Sequence, residues 1–389
     1  MIQEGVHKTK SDRSILKGDK SIWFVVLILG AVSVLVVYSA TSNLAYRQMK
    51  GNTEYYLLKH LSLMILSIIT AYIIHLVDYR FIAGLSKLGV FLSVPLLIFT
   101  WKYGASINAA SRWIKIPLLN ATFQSSDFAQ IALITYVARI VNKGQGKDSV
   151  YYVLIPSMIW SVIICGLIAL TNLSGGLLLF ATIFLLMFIN KIRVKVLLSI
   201  IGVGIVCILL ALVLGQRGRT AFSRIKTFVT GKESFQTKHS LIAIANGGIY
   251  GRGPGNSIQR NVLPHPYSDF VFAIIAEEYG LIGSVFVILL YLVFYYRCIL
   301  GFSRSKNMFC MNAIFGLSTL IFMQALANML VAVGLFPVTG LTLPFISWGG
   351  TSLLFTGAAI GAIQSMIRGK IINLNSGVRR ANDYVQKPL

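Results

Sequence analysis

Residues 22–41 read IWFVVLILGAVSVLVVYSAT, a run without a charged side chain. A helix of about 20 apolar residues is long enough to cross the hydrocarbon core of a bilayer. The run therefore predicts a transmembrane helix. Similar segments recur along the chain, and together they predict ten spans, at residues 22–41, 57–77, 81–100, 127–141, 150–170, 173–189, 194–214, 270–297, 308–334 and 351–367.

The overall composition agrees with a membrane protein. Charged residues make up 12% of the 389 residues and apolar residues 56%, whereas a soluble domain carries roughly 25% charged residues. A soluble protein of this length could not cover its surface with so few charges. The predicted fold class is an all-α integral membrane protein of about ten transmembrane helices, and disordered, coiled-coil and disulfide-scaffold classes are excluded.

The eighth segment, residues 270–297, is too long for one straight crossing. It contains Glu277, Glu278 and Gly280, and a glycine inside a helix favours a break. We expect residues 270–279 to lie near the membrane interface and residues 281–296 to cross the bilayer.

The basic residues predict the orientation. With both termini in the cytoplasm, the inside segments hold 20 Lys and Arg residues and the short outside loops hold 6, as the positive-inside rule requires. We divide the chain into a cytoplasmic tail (1–20), a membrane domain (21–370) with a long extracytoplasmic loop (215–269), and a second cytoplasmic tail (371–389).

The long loop carries eight cations against two carboxylates, Glu233 and Asp269, although it lies outside. The positive-inside rule cannot explain this excess. Attraction to lipid phosphates is one interpretation, and binding of an anionic, phosphorylated substrate is the other. The cations are Arg217, Arg219, Arg224, Lys226, Lys232, Lys238, Arg252 and Arg260.

A glycine-rich stretch, GGIYGRGPGNS at residues 247–257, lies within this loop. No strand precedes it, so it is not a dinucleotide fingerprint. Its backbone amides, beside Arg252 and Arg260, could bind a pyrophosphate, or the stretch could simply be flexible.

Asp269 is the only carboxylate between Glu233 and Glu277. It could cap the helix that follows, a role worth about 1 kcal/mol, or it could be a general base. Glu277 lies about 12 Å further along that helix, and we expect it to face the same cavity or a cation such as Arg112. Glu278, about 100° around the helix, is expected to face another helix or the interface.

Two further polar clusters flank predicted spans. One is SRWIKIPLLNATFQSSDFAQIALI (111–134), and the other is LFPVTGLTLPFISWGGTSLL (335–354). Irregular backbone near a membrane must be buried in protein or line a wet cavity. We therefore expect the second cluster to pack against the long loop.

The three clusters, in this order on ten spans, resemble the SEDS family of cell-wall polymerases, which includes FtsW, RodA and SpoVE. The matching segments are SRWI with FQSSDFAQIALITYVA, the loop segment SLIAIANGGIYGRGPGNSIQRNVLPHPYSDFVFAIIAEEYGLIG, and NMLVAVGLFPVTGLTLPFISWGGTSLL. The resemblance covers essentially the whole chain. It implies a peptidoglycan glycosyltransferase that polymerises lipid II at the outer face of the cytoplasmic membrane.

The resemblance also implies residue roles. Asp269 would deprotonate the acceptor sugar's 4-hydroxyl, which attacks the donor's anomeric carbon with inversion and release of polyprenyl pyrophosphate. Arg112 and Gln259 match family positions. The candidate substrate-binding residues are Arg112, Arg217, Arg219, Lys226, Arg252, Gln259, Arg260 and Glu277. A divalent cation, Mg²⁺ or Mn²⁺, is the one cofactor that the resemblance allows.

The partners that the resemblance implies are a class B penicillin-binding protein transpeptidase and other division proteins; no nucleic acid is expected. The compact length and the YGRGPGNSIQRNVLPHPYSDF variant favour the division branch, with a location at the septum. A RodA-like elongation polymerase and a lipid II flippase are the alternatives. The intramembrane charges cluster toward the outer side, which favours chemistry at the outer face over transport.

Four positions depart from the family pattern. The usual glutamate and lysine of one motif are Asp127 and Gln130, a usual acidic residue is Asn172, and a usual glutamate is replaced where the chain reads LPHPYSDF, around His265. Roles that depend on those family side chains are not assigned to these positions.

Overall fold

The computed structural model describes residues 18–49, 53–107, 110–116, 121–143, 155–192 and 218–385, with a few isolated positions between 201 and 215. The described part is mainly helical. Its helices are α1 (Lys20–Met49), α2 (Thr53–Leu76), α3 (Tyr79–Tyr103), α4 (Ser125–Lys143), α5 (Ile155–Thr171), α6 (Leu173–Ile189), α7 (Gly218–Val229), α8 (Phe235–Gly247), α9 (Val271–Arg304), α10 (Met308–Ala332) and α11 (Thr351–Val385).

Five of these helices are long and apolar enough to span a membrane. They are α2, α3, α9, α10 and the part of α1 from Lys20 to Ser42, while α5 and α6 are shorter apolar helices. The predicted multi-pass membrane protein is therefore confirmed. The seventh predicted span, 194–214, lies largely outside the described residues. The first part of the fifth predicted span, residues 150–154, lies outside them as well.

Helix α9 is broken at Gly280, as the sequence predicts. Gly280 has φ 66° and ψ −161°, values that interrupt the helix. A β-carbon at this position would lie 2.4 Å from both the Gly251 nitrogen and the Ile249 oxygen. Beyond the break, Leu281 N–H donates to Gly248 O at 2.9 Å. The glycine-rich stretch thus fills the gap in α9.

The structure departs from the all-α prediction between α3 and α4. A three-stranded antiparallel sheet forms there, with β1 (Ala105–Ile107), β2 (Ala110–Ile116) and β3 (Ala121–Gln124) in that order. Strand β2 ends with two β-branched residues two positions apart, Ile114 and Ile116, which suits a pleated surface. Trp113 pairs with Gln124 in the register. Apolar content alone did not distinguish this segment from an irregular loop.

The last helix is longer than predicted. Span ten was expected to end at residue 367, and the helix that contains it, α11, continues to Val385. Its first half packs on α2 through two small residues spaced by four. A β-carbon at Gly357 or Gly361 would lie 2.4 Å from Ser67 O or Ala71 O, so the backbones approach closely, as in small-residue membrane contacts.

The core centres on α10, which packs against α4, α6, α9 and α11. It buries a continuous apolar surface and carries Asn328 near its C-terminal end, where the side chain is 1% exposed. This end of α10 meets the two irregular segments that precede α9 and α11. Those segments form the candidate site.

Candidate active site

Two irregular segments meet at the start of α9, as the sequence predicts. Trp348 N–H donates to Tyr267 O at 2.9 Å, and Ser347 Oγ donates to Ser268 O at 2.6 Å. Asn328 of α10 bridges the segments, because its Nδ2 donates to Asp269 O at 2.9 Å and to Leu341 O at 2.7 Å. The backbone around Asp269 is therefore held by three hydrogen bonds from distant parts of the chain.

The Asp269 side chain does not cap α9. The N-cap residue is Phe270, and it has no side-chain capping hydrogen bond. The Asp269 carboxylate instead accepts a hydrogen bond from Ser268 Oγ at 2.9 Å. Asp269 is half-buried and lines a cavity of about 500 Å³. Of the two sequence-based interpretations, the cap is wrong, and the carboxylate is placed where a reacting group could approach it.

The cavity, here called the Asp269 cavity, lies between the loop before α9, the segment before α11, β2–β3 and helices α2 and α4. Most of the residues that line it have polar side chains, and few of these side chains are charged. The charged side chains are Lys59, Asp127 and Asp269, and the carboxamides are Gln124, Gln130, Asn172 and Gln324. Aromatic side chains complete the lining at Trp113, Tyr267 and Trp348.

Arg224 is the loop cation whose charge acts on Asp269. Burial of its guanidinium lowers the pKa of Arg224, and the Asp269 carboxylate partly offsets this by raising it. Arg224 Nη1 also donates to Val338 O at 3.0 Å, which fixes the side chain. Arg224 belongs to the basic loop but is not among the site residues predicted from the sequence. Nothing in the spacing of the eight loop cations distinguishes it from the other seven.

Tyr267 shares this environment. Burial raises the pKa of its hydroxyl, with further contributions from Tyr56 and Asp269. The hydroxyl therefore stays protonated at neutral pH. It lies 3.1 Å from His265 Nδ1.

A second cavity of about 480 Å³ adjoins the first and has a largely apolar lining. It lies between α6, α7 and residues 336–341, and it shares Asn172 and Leu341 with the Asp269 cavity. Arg224 also lines it. A cation that lines the apolar cavity thus acts on the carboxylate that lines the polar one.

Glu277 lies outside the Asp269 cavity and faces a cation, which is the second of the two surroundings expected for it. Its side chain is 0% exposed. The carboxylate accepts hydrogen bonds from Ser257 Oγ, from Ile258 N–H and from Gln259 N–H, the last two at 3.1 Å. The carboxylate is paired with Arg252, with Nη1–Oε1 at 3.8 Å.

The glycine-rich stretch serves the same internal contact. The amides of Arg252 and Gly253 donate to the carbonyls of Glu277 and Glu278, both at 2.9 Å. The stretch is thus ordered around the break in α9, and two of the amides that could have bound a pyrophosphate donate to carbonyls of α9 instead. The anion that this loop binds is a side chain of the protein itself.

Glu278 faces another helix, as expected. It accepts a hydrogen bond from Ser39 Oγ of α1, and Arg260 Nη1 donates to the same Ser39 Oγ at 3.0 Å. Gln259 Oε1 lies 2.9 Å from His239 Nδ1 of α8. Arg260 and Gln259 therefore connect the loop to neighbouring helices.

The structure divides the sequence-predicted residues into three groups. Asp269 lines the cavity, whereas Arg252, Gln259, Arg260 and Glu277 form a separate cluster at the break in α9. Arg219 and Lys226 are exposed on α7. Arg217 and the side chain of Arg112 lie outside the described residues.

The four positions that depart from the family pattern all line the Asp269 cavity: Asp127, Gln130, Asn172 and His265. Gln124 Nε2 donates to Asp127 Oδ1 at 2.7 Å. Single-sequence reasoning could not bring these residues together, since they come from three separate segments of the chain.

The resemblance allows a divalent cation as a cofactor. Within the described ranges, no group of three or more His, Cys, Asp and Glu side chains is placed to hold a metal ion.

Fold and site together define a polytopic membrane protein with a carboxylate-bearing polar cavity on the side of its long loop. A family model described as "Cell cycle protein", named for FtsW, RodA and SpoVE, matches residues 19–370. The chain belongs to this family.

Individual relatives agree. The chain is 31% identical over 366 residues to the probable peptidoglycan glycosyltransferase FtsW of Haemophilus influenzae, with 89% of each chain covered. It is 30% identical over 370 residues to the protein of the same name from Bacillus subtilis, with 90% of each covered.

Solved structures share the fold. One is described as "Structural coordination of polymerization and crosslinking by a peptidoglycan synthase complex"; the TM-score is 0.72 at 23% identity, covering 91% of this chain and 98% of that one. The rod shape determining protein RodA of Thermus thermophilus gives a TM-score of 0.67 at 22% identity, covering 91% and 97%.

Proposed function

We propose that this protein is a peptidoglycan glycosyltransferase that polymerises lipid II into glycan strands at the outer face of the cytoplasmic membrane. The observation that carries the proposal is Asp269: a half-buried carboxylate that caps no helix and lines a polar cavity. The protein's relatives, which match about nine tenths of the chain, are named probable peptidoglycan glycosyltransferases.

The proposed reaction is an inverting displacement. The Asp269 carboxylate takes the proton of the acceptor sugar's 4-hydroxyl, and that oxygen bonds to the donor's anomeric carbon. The bond from this carbon to the pyrophosphate oxygen breaks, and its electron pair leaves with the polyprenyl pyrophosphate. A positioned general base contributes about 10²–10⁴-fold to such a step.

Arg224 is suited to the leaving group. It lines the apolar cavity, and its charge acts on Asp269 in the adjoining polar one, so a pyrophosphate beside it could have its sugar in the polar cavity and its hydrocarbon chain in the apolar one. A fixed cation at developing negative charge lowers the barrier without reorganisation. No step of this mechanism depends on a protein-bound metal.

Cellular setting follows from the same proposal. The excess of Lys and Arg in the segments predicted to be inside supports cytoplasmic termini and a site on the outer face. Relatives named FtsW support a role in division at the septum over elongation. The partner that we propose is a class B penicillin-binding protein transpeptidase, which would cross-link the strands as they form.

The test is polymerisation of purified lipid II by the full-length protein with its partner transpeptidase. We expect long glycan strands from the wild type and none from Asp269→Ala. A parallel assay of lipid II transfer across vesicle bilayers addresses the flippase alternative. Transfer that persists in Asp269→Ala, with no polymerisation by the wild type, would overturn the proposal in favour of transport.

A further inference from the structure

The Asp269 cavity has one wall made of aromatic rings that the reaction described above does not use. This aromatic wall consists of His265, Tyr267 and Trp348, all of which line the cavity. The His265 and Tyr267 ring centroids are 5.9 Å apart, and those of Tyr267 and Trp348 are 6.3 Å apart. Trp348 is half-buried, so part of its indole surface faces the cavity.

Buried rings hold Trp348 from behind. The imidazole of His60 stacks on the indole at 5.8 Å with an interplanar angle of 16°, and Tyr56 lies at 5.4 Å. His60 Nε2 is 2.8 Å from Ser33 Oγ, which in turn donates to Ile346 O at 2.7 Å. The indole is therefore fixed before any ligand arrives, which reduces the entropy lost on binding.

The wall is coupled to the reacting carboxylate. Tyr267 lies two residues before Asp269, and Trp348 N–H donates to Tyr267 O at 2.9 Å. Ser347 Oγ donates to Ser268 O at 2.6 Å. A group that stacks on Trp348 would therefore keep a defined position relative to Asp269.

The rest of the lining selects the class of ligand. Four carboxamides face the cavity, at Gln124, Gln130, Asn172 and Gln324. A pyrophosphate requires a cation and a hydrocarbon chain requires apolar walls. The adjoining cavity offers both, with Arg224 in a largely apolar lining. A sugar ring instead presents a C–H face and a rim of neutral hydroxyls, and aromatic surface with convergent neutral polar groups suits both.

We propose that Trp348 is the stacking platform for the terminal N-acetylhexosamine of the acceptor, the sugar whose hydroxyl Asp269 deprotonates. The inference rests on the proposed function and refines it, because it assigns the sugar to one wall of the cavity. Trp348 is a binding and positioning residue here, and its loss should change substrate affinity more than the rate of the chemical step.

The variants are chosen to separate stacking from folding. Trp348→Leu removes the ring and keeps an apolar side chain, while Trp348→Tyr keeps an aromatic face. The matched control is Trp160→Leu in α5, whose indole packs on Phe91 and Tyr136, outside the cavity lining.

Two measurements are made on each full-length variant with its partner. Steady-state polymerisation separates KM for lipid II from kcat. Saturation-transfer NMR with the lipid-free disaccharide GlcNAc–MurNAc measures sugar binding directly. We expect Trp348→Leu to raise KM and weaken disaccharide binding roughly tenfold, the size of one lost aromatic contact, with kcat within about threefold. Trp348→Tyr should lose less than Trp348→Leu because it keeps an aromatic face, and Trp160→Leu should stay near the wild type.

Unchanged disaccharide binding by Trp348→Leu would overturn the inference, and so would a loss in kcat alone at constant KM. Asp269→Asn distinguishes this failure from failure of the proposed function. If it binds the disaccharide but makes no strands, the sugar site and the chemistry are separable and both stand. The wild type could instead make no strands but bind the disaccharide, with Trp348→Leu binding it more weakly. In that case only the proposed function fails.

Discussion

Asp269 and Glu277 are carboxylates eight residues apart with opposite surroundings. Asp269 is half-buried, faces a polar cavity and accepts one side-chain hydrogen bond, from Ser268. Glu277 is fully buried and accepts three hydrogen bonds from the loop that covers it. Acidic residues near a membrane are usually functional or paired with a cation. Glu277 is paired with Arg252, whereas Asp269 is open to the cavity. The hydrogen bonds to each carboxylate, more than its depth, distinguish a reactive group from a structural one.

The largest effect should come from Asp269. Asp269→Asn keeps the size of the side chain and removes the base, so turnover should fall about 10²–10⁴-fold. The melting temperature should stay near that of the wild type, because this side chain caps no helix. Strand length on gels and thermal melting in detergent are the measurements.

Ser268→Ala is the matched control for that comparison. It removes the hydroxyl that donates to Asp269 Oδ1 and leaves the carboxylate in place. Turnover should fall far less than in Asp269→Asn. Equal losses in the two variants would show that orientation of the carboxylate, not its basicity, limits the reaction.

Glu277 should give the opposite pattern. Glu277→Ala leaves the Ile258 and Gln259 amides and Ser257 without their acceptor, and an unsatisfied buried donor costs about 1–3 kcal/mol. We expect a clear loss of thermal stability and of folded protein in the membrane. The kcat of the folded fraction should be close to that of the wild type. A stable variant with low kcat would place Glu277 in the reaction after all.

The contrast between these two residues also shows what the sequence could predict. Helix positions, the break at Gly280 and the importance of Asp269 follow from hydropathy, glycine and motif resemblance, which are local signals. Glu277 was expected to face either the cavity or a cation, and helix geometry could not decide between them because it gives the distance from Asp269 but not the loop that covers Glu277. Arg224 and Trp348 were not selected for the same reason: both reach the cavity only through packing of segments far apart in the chain.

Arg224 should rank next. Arg224→Gln removes the cation that interacts with Asp269 and lines the apolar cavity. We expect use of lipid II, measured as kcat/KM, to fall roughly tenfold, as for one lost charge-assisted hydrogen bond. Because the side chain is largely buried, salt should change this effect little. An effect that disappears in high salt would reassign Arg224 to the exposed cations.

The smallest effect should come from Arg219 and Lys226, which are exposed on α7. Exposed charges interact weakly, so Arg219→Gln with Lys226→Gln should lower kcat/KM by about two- to fivefold at low salt. The loss should shrink as ionic strength rises, since charges in solvent are screened over about 10 Å at 0.1 M salt.

The same double variant separates the two interpretations of the basic loop. If these cations attract substrate phosphates, the loss is seen with lipid II in detergent micelles, where no anionic bilayer is present. If they bind only lipid phosphates, activity in micelles equals that of the wild type, and the loss is confined to vesicles of anionic lipid. The second result would favour Arg224, the half-buried cation whose charge acts on Asp269, as the substrate-binding cation of α7.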